Sequence, residues 1–118
     1  MIKVAFLTND LENIDAHFGS AEHFVLYAFE ENGFSLCKII NTDDAKTDGR
    51  IGMLKDESVD IMYCIEIGPA AAAKIVNNRI FPIKYKSAVN IKTELDKISA
   101  MLATNPPPFI KKMQAERV

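Results

Sequence analysis

The feature that most constrains the fold is a pair of apolar runs separated by a short polar turn. Residues 24–29 and 34–40 are rich in β-branched and aromatic side chains, and the segment 30–33 between them ends in Asn32-Gly33. An Asn-Gly pair between two such runs favours a tight hairpin turn. We therefore predict two antiparallel strands here.

Strand and helix patterns alternate along the rest of the chain. We predict strands at residues 4–7, 59–65 and 80–83, and helices at about 47–55, 70–76 and 91–103. Pro82 indicates an edge strand, and Asn90 is a candidate N-cap for the last helix. Because a hairpin combined with strand–helix alternation gives both antiparallel and parallel pairing, we predict an α/β fold with a five-stranded mixed sheet and about three helices.

Composition narrows the class of protein. The chain has 118 residues, of which 48% are hydrophobic and 25% charged, as expected for one globular domain. Two cysteines cannot form a disulfide framework, so we expect both to be reduced in a cytoplasmic protein. Apolar runs are too short for a membrane span, and no basic run with interleaved aromatic residues indicates a nucleic-acid partner.

Charge is unevenly distributed along the chain. Residues 1–66 carry 13 acids and 5 bases, a balance of −8, whereas residues 67–118 carry 3 acids and 9 bases, a balance of +6. Such a split can attract an anion to one side of the molecule. The three prolines at 106–108 end the last helix and predict an extended proline-rich tail over residues 105–118, after an α/β domain over 1–104.

The most suggestive segment is the loop from Asp15 to Ser20. Ligands of such sheets prefer the carboxyl ends of parallel strands, which are followed here by the loops 8–20 and 66–69. In the first loop, His17 between apolar and glycine neighbours could ligate a metal or a cluster. Gly19 would let a ligand approach closely, and Ser20 could cap a following helix. The alternative is an ordinary loop histidine that makes one hydrogen bond.

The second segment is Cys64 to Pro69. Cys64 precedes a predicted helix N-terminus, whose dipole favours a thiolate or a bound anion. A cysteine closing a buried strand is, alternatively, a small apolar residue. The spacing of cysteines and histidines does not form a zinc site, and the lone Gly68 forms no phosphate-binding loop or dinucleotide fingerprint.

Carboxylates near these strand ends allow a third interpretation. Asp10, Asp15 and Glu66 could hold two Mg²⁺ ions for phosphodiester hydrolysis. Acidic residues in loops are, however, usually only solvated, so this hypothesis ranks behind the others.

Taken together, these segments resemble the dinitrogenase iron–molybdenum cofactor biosynthesis family, in its NifX-type branch. The matching segments are, in chain order, Val4-Ala5-Phe6 with Thr8-Asn9-Asp10, His17-Phe18-Gly19-Ser20-Ala21 followed by Phe24, Asp60-Ile61-Met62-Tyr63-Cys64 with Ile67-Gly68, Pro82-Ile83-Lys84, and Asn105-Pro106-Pro107-Pro108-Phe109. The resemblance covers residues 2–112. The His-Phe-Gly loop is typical of the whole family, and the Asn-Pro-Pro-Pro segment is typical of the NifX-type branch.

The resemblance implies a three-layer, ribonuclease H-like fold without that enzyme's activity. It implies a non-enzymatic carrier or chaperone that binds an iron–sulfur precursor of the nitrogenase cofactor and exchanges it with assembly proteins, a NifB-like donor and a NifEN-like scaffold. A homodimer is a further expectation. The family's cluster-binding histidine falls on His17, Cys64 is a second candidate metal ligand, and the matched motifs supply the remaining candidate binding residues: Asn9, Phe18, Gly19, Ser20 and Gly68. A member of the same fold that binds a small anion or regulates a partner is the alternative.

Overall fold

The elements of the computed structural model follow the predicted alternation. The structure describes residues 1–104, 108 and 110–112. In chain order the elements are β1 (Ile2–Thr8), β2 (Asn13–Ile14), β3 (His23–Glu30), β4 (Gly33–Asn41), α1 (Thr47–Asp56), β5 (Ile61–Cys64), α2 (Pro69–Asn77), β6 (Phe81–Lys84), β7 (Val89–Asn90) and α3 (Ile91–Thr104). The predicted hairpin, the other three long strands and all three helices are confirmed.

Five of the strands form one mixed sheet in the order β4-β3-β1-β5-β6. β1 pairs with β3 antiparallel and with β5 parallel, while β4 and β6 form the two edges. The prediction that Pro82 marks an edge strand is therefore confirmed. The short ribbon of β2 and β7 was not predicted, because strands of two residues carry no readable periodicity.

Alternate residues of β1 build the two sides of the core. Ala5 and Leu7 join one buried cluster with residues of α1 and α2, whereas Val4 and Phe6 join a second cluster with residues of α3. Side chains of a strand alternate between its faces, so this division places α1 and α2 on one face and α3 on the other. The predicted three layers are confirmed.

The three helices begin close to where the sequence predicts. Asn90 caps α3, because its Oδ1 accepts a hydrogen bond from the backbone N–H of Thr93 at 3.0 Å. α2 begins with Pro69 in its first turn and has Gly68 as its N-cap. α1 contains two glycines and is stabilised by the buried side chains of Ile51 and Leu54.

The predicted proline-rich tail falls mostly outside the described residues, which omit 105–107, 109 and 113–118. Pro108 and residues 110–112 have helical backbone instead of the predicted extended path. Proline is compatible with the first turn of a helix, because its missing N–H is not needed there. Ile110 is fully buried in the cluster beneath α3. Within the described ranges, each helix is too short or too polar to cross a membrane.

Candidate functional site

The loop that carries His17 is joined to the loop that follows β5. The N–H of Ile65 donates to the carbonyl of Ala16 at 3.0 Å, and the N–H of Phe18 donates to the carbonyl of Glu66 at 2.8 Å. His17 and Glu66 thus form a parallel bridge beyond the end of β5. The two loops predicted to meet at the carboxyl ends of the strands do meet.

Phe18 anchors this loop, while His17 lies on its surface. The Phe18 ring is 2% exposed and packs in the core cluster beneath α1 and α2, whereas the His17 side chain is exposed. The His17 carbonyl accepts hydrogen bonds from the N–H groups of Ser20 and Ala21, at 3.2 and 2.9 Å. A buried ring and bonded backbone on both sides therefore hold the backbone of His17 in place and leave its imidazole accessible.

Gly19 and Ser20 border a cleft of about 880 Å³ whose other walls are the start of β3, the segment 41–46 and the start of α1. His17 does not line this cleft. A Cβ placed on Gly19 would meet no atom within 4 Å, so the glycine leaves open space above the loop. The predicted capping role of Ser20 is wrong. Ser20 precedes β3 and not a helix, because the apolar run that follows has the period of a strand.

Asn9 connects three segments of the loop region. Its N–H donates to Asp15 Oδ1 at 2.8 Å, and its own Oδ1 accepts a hydrogen bond from the N–H of Glu22 at 3.0 Å. Asn9 therefore ties the end of β1 to the start of β3, and its side-chain oxygen is engaged within the protein.

The three carboxylates considered for hydrolysis each have their own partners. The side-chain amide of Asn13 donates to Asp10 Oδ2, and the backbone N–H groups of Asn13 and Glu12 donate to Asp10 Oδ1, all at 2.8 Å. The bond from the Asn13 side chain is the largest cause of the pKa of Asp10 being lowered to about 2. Asp15 holds Asn9, as described above. Within the described residues no group of three or more His, Cys, Asp or Glu side chains is arranged to hold a metal ion. The structure therefore gives no support to a two-metal hydrolytic centre there.

Glu66 lies beside His17 and forms an ion pair with Lys84. Lys84 Nζ donates to Glu66 Oε1 at 3.2 Å, and the N–H of Ile67 donates to the same oxygen at 3.1 Å. The bond from Lys84 is the largest cause of the lowered pKa of Glu66, and the nearby His17 contributes a smaller part. The ammonium group of Lys84 thus lies next to Glu66, the residue bridged to His17. Sequence analysis could not predict this ion pair, because 18 residues separate Glu66 from Lys84.

Cys64 is fully buried at the end of β5. Burial, the largest cause, raises the pKa of its thiol to about 11. Of the two interpretations, the raised pKa favours the small apolar residue over the thiolate in the free protein, because desolvation outweighs the dipole of a helix that begins several residues later. Cys37 is exposed on β4, and both cysteines are free thiols.

The N-terminus of α2 borders the same edge of the sheet. Gly68 is exposed, and a Cβ there would meet no atom within 4 Å. In the described chain no side chain caps this helix, so N–H groups of its first turn are free to face an anion. Gly68 therefore contributes open space and exposed backbone to the site.

Fold and site together define a small α/β domain in which an exposed histidine is bridged to Glu66, which is ion-paired with Lys84, near the N-terminus of a helix. The family described as dinitrogenase iron-molybdenum cofactor matches residues 1–101, and this chain belongs to that family. The resemblance to its NifX-type branch is confirmed by relatives of that name. Protein NifX of Herbaspirillum seropedicae is 37% identical over 117 residues, covering 94% of this chain and 80% of that protein.

Other relatives and solved structures agree. Protein NifY of Klebsiella pneumoniae is 30% identical over 92% of this chain, which matches 48% of that longer protein. The crystal structure of PH0822 has a TM-score of 0.74 at 17% identity, covering 84% of this chain and 91% of that one. The NMR structure of TM1290 from Thermotoga has a TM-score of 0.61, also at 17% identity, over 92% and 99% of the two chains. These two structures confirm the kind of fold.

Proposed function

We propose that this protein is a non-enzymatic carrier of an iron–sulfur precursor of the nitrogenase iron–molybdenum cofactor, with His17 as the protein ligand. Membership of the family supports a role in the biosynthesis of that cofactor. The observation that carries the finer proposal is the exposed His17 imidazole on a loop fixed by Phe18 and by the bridge to Glu66.

A single exposed ligand suits a carrier. Imidazole is a good ligand for iron, and one bond to the protein can be exchanged without dismantling a closed cage. The remaining coordination of the cargo would be completed by its own sulfides or by an exogenous thiol. The site would thus hold a cluster during transfer without trapping it.

Electrostatics of the site favour an anionic cargo. Lys84 and the free N–H groups at the start of α2 lie at the same edge of the sheet as His17. Glu66 would repel an anion, but Lys84 compensates its charge at 3.2 Å. An anionic cluster that paired with Lys84 would be attracted by its ammonium group, and this attraction would offset the repulsion from the Glu66 carboxylate.

The other candidate residues have supporting roles in this proposal. Phe18 and Asn9 position the loop, while Gly19, Ser20 and Gly68 are exposed residues near His17 whose small side chains would not obstruct a cluster. Cys64 is protonated and buried, so we assign it no ligand role in the first encounter with the cargo. The donor and acceptor would be assembly proteins of the same pathway, of the NifB-like and NifEN-like kinds.

Anaerobic titration of the purified protein with an isolated iron–sulfur precursor tests the proposal. The iron that comigrates on gel filtration and the visible absorption both report uptake. We expect uptake by the native protein and at least about tenfold weaker binding by His17→Ala, because the one imidazole ligand is lost. His23→Ala is the matched control, since His23 lies near the same loop but its Nδ1 is hydrogen-bonded to Asn41 Oδ1 at 2.6 Å.

Each contrary outcome has a distinct meaning. Equal uptake by the native protein and His17→Ala would refute His17 as the ligand, and a Cys64→Ala variant would then show whether the buried sulfur is used. No uptake by the folded native protein would refute the carrier role. Tight binding of a cluster-free anion such as molybdate would then favour the small-anion alternative.

A further inference from the structure

The cleft bordered by Gly19 and Ser20 has a buried cation in its wall. Arg50, on α1, is only 4% exposed and lines the cleft together with the segment 41–47. A guanidinium stays charged in proteins, and burying a charge is costly unless the charge is paired and hydrogen-bonded. The partners of Arg50 therefore determine what the cleft can bind.

The protein satisfies only part of this guanidinium. Its Nε donates to the carbonyl of Ala45 at 2.6 Å, and its Nη1 donates to the carbonyl of Ala21 at 2.7 Å. These bonds use two of the five N–H groups of an arginine, and both acceptors are uncharged. Within the described residues Nη2 has no acceptor, and it is not sealed from solvent. The Nη2 amino group is therefore a free donor at the surface of the cleft.

The positive charge of Arg50 also lacks a direct partner. The side chains of the described chain form ion pairs elsewhere, and no carboxylate among them is paired with this guanidinium. Burial, the largest cause, lowers the pKa of Arg50, and the charge of Asp44 opposes that shift from a greater distance. A ligand that brought a negative charge to Nη2 would supply the missing partner.

The N-terminus of α1 lies in the same wall of the cleft. Lys46 is the N-cap of this ten-residue helix, and no described side chain caps it. The N–H of Arg50 donates to the carbonyl of Lys46 at 2.9 Å, so the three N–H groups of the first turn precede the first bond of the helix. Asp48, in that turn, is engaged by Lys74 at 3.0 Å. Free N–H groups and the helix dipole favour an anion at such a terminus.

We propose that this cleft binds the phosphate group of a small molecule, held by Arg50 Nη2 and by the first-turn N–H groups of α1. Phosphate oxygens accept strong, charge-assisted hydrogen bonds from both kinds of donor. Ser20 also lines the cleft and adds a hydroxyl donor. The volume of about 880 Å³ exceeds what one phosphate ion needs, so the cleft has room for an organic group attached to it.

Acidic side chains limit which phosphates the cleft accepts. Glu22, Asp43 and Asp44 line the cleft and are exposed to solvent, whereas Arg50 is buried. Water and salt screen exposed charges more than buried ones, so the guanidinium has the larger effect on a phosphate in contact with it. A further phosphate extending from the first would meet these carboxylates. The site should therefore prefer a single phosphate group to a polyphosphate.

The proposed phosphate site is separate from the carrier function. Neither His17 nor Lys84 lines the cleft, and the N-terminus of α2 does not line it either. These are the groups assigned above to the cluster cargo. A phosphate can therefore bind beside α1 whether or not a cluster is held at His17, and the two proposals can fail or succeed separately.

Isothermal titration calorimetry at low ionic strength tests the proposal with inorganic phosphate, glycerol 3-phosphate and pyrophosphate as probes. We expect the native protein to bind at least one of the two monophosphates with a dissociation constant of about 1 mM or below, and pyrophosphate more weakly. Tighter binding of glycerol 3-phosphate would identify an organic phosphate as the ligand, and equal binding would identify free phosphate. Both results support the site.

A carboxylate placed in the wall of the cleft should repel the phosphate. Gly19→Asp adds this charge without a clash, because a Cβ on Gly19 meets no atom within 4 Å, and we expect at least about tenfold weaker binding. Gly19→Asn has the same shape without the charge. Gly52→Asp adds the same charge elsewhere on α1, where a Cβ also meets no atom within 4 Å and the residue does not line the cleft. Both controls should bind within about twofold of the native protein.

Arg50→Gln should abolish binding, but it also removes the bonds to Ala45 and Ala21, so the Gly19 variants provide the test that is independent of folding. Circular dichroism checks that every variant is folded. Nitrogen-15 spectra locate the phosphate, and we expect the largest shifts at the amides of residues 47–50. The absence of binding to the folded native protein below about 10 mM, equal binding by Gly19→Asp, or shifts confined to the start of α2 would each overturn the proposal.

Discussion

Replacing Phe18 with alanine tests whether the core holds the histidine loop in place. The Phe18 ring is 2% exposed and lies among buried side chains of β1, β5 and the two helices on that face. Truncation of a fully buried phenylalanine costs about 3–5 kcal/mol, which includes the cavity left behind. For a domain of this size about 1 kcal/mol corresponds to about 4 °C, so we expect a fall of about 12–20 °C in Tm.

Urea unfolding followed by circular dichroism measures the same loss as a free energy. Val76→Ala is the control, because Val76 is half-exposed, and its change should stay within about 0.5 kcal/mol. A loss below about 1 kcal/mol for Phe18→Ala would refute the reasoning, since the loop would then be held without its aromatic anchor. If Phe18→Ala lost the expected free energy of unfolding but took up cluster as well as the native protein, the stability argument would stand and the role of Phe18 in positioning His17 would be contradicted.

Three further predictions concern other parts of the structure. The pKa of Asp10 in the folded protein, about 2, lies below its ordinary value of 3.8, so its hydrogen bonds stabilise the protein above pH 3.8 and this stabilisation is lost as the pH falls through 2. Asp10→Asn should therefore make the free energy of unfolding fall less steeply on the acid side. An unchanged slope would contradict this prediction. Asn90→Ala should lower the free energy of unfolding by about 1 kcal/mol and Asn90→Asp much less, because only alanine removes the cap of α3, and equal losses in urea melts would refute the capping role. Iodoacetamide at neutral pH should modify Cys37 and spare the buried Cys64, which mass spectrometry of tryptic peptides can measure; rapid labelling of Cys64 would contradict its burial and raised pKa.

The fold could be predicted where the sequence pattern is local and long. The hairpin follows from two apolar runs around Asn32-Gly33, and α3 follows from apolar residues at helical spacing after a capping Asn90. The ribbon of β2 and β7 could not be predicted, because each strand has two residues and owes its existence to its distant partner. Periodicity says nothing about pairs of that length.

The site was predictable as a place but not as an arrangement of charges. The rule that ligands gather at the carboxyl ends of parallel strands selected the loops of His17 and Glu66, and the structure joins these two loops by a backbone bridge. The pairing of Glu66 with Lys84 depends on β6 lying beside β5, which only the folded topology shows. Cys64 shows another limit, because the sequence offers both a helix dipole and a buried strand end for this thiol, and only the folded structure shows that burial has the larger effect on its pKa.

The bridge between His17 and Glu66 makes two amide protons into reporters of the site. The N–H groups of Phe18 and Ile65 are the donors that join the two loops, at 2.8 and 3.0 Å. They can exchange with deuterium only when the loops part, so their protection factors measure the free energy of opening at this edge. A cargo that binds across both loops must slow this exchange. The exchange rates of these two amides in nitrogen-15 spectra would therefore report binding and release of the cargo without any label on the iron.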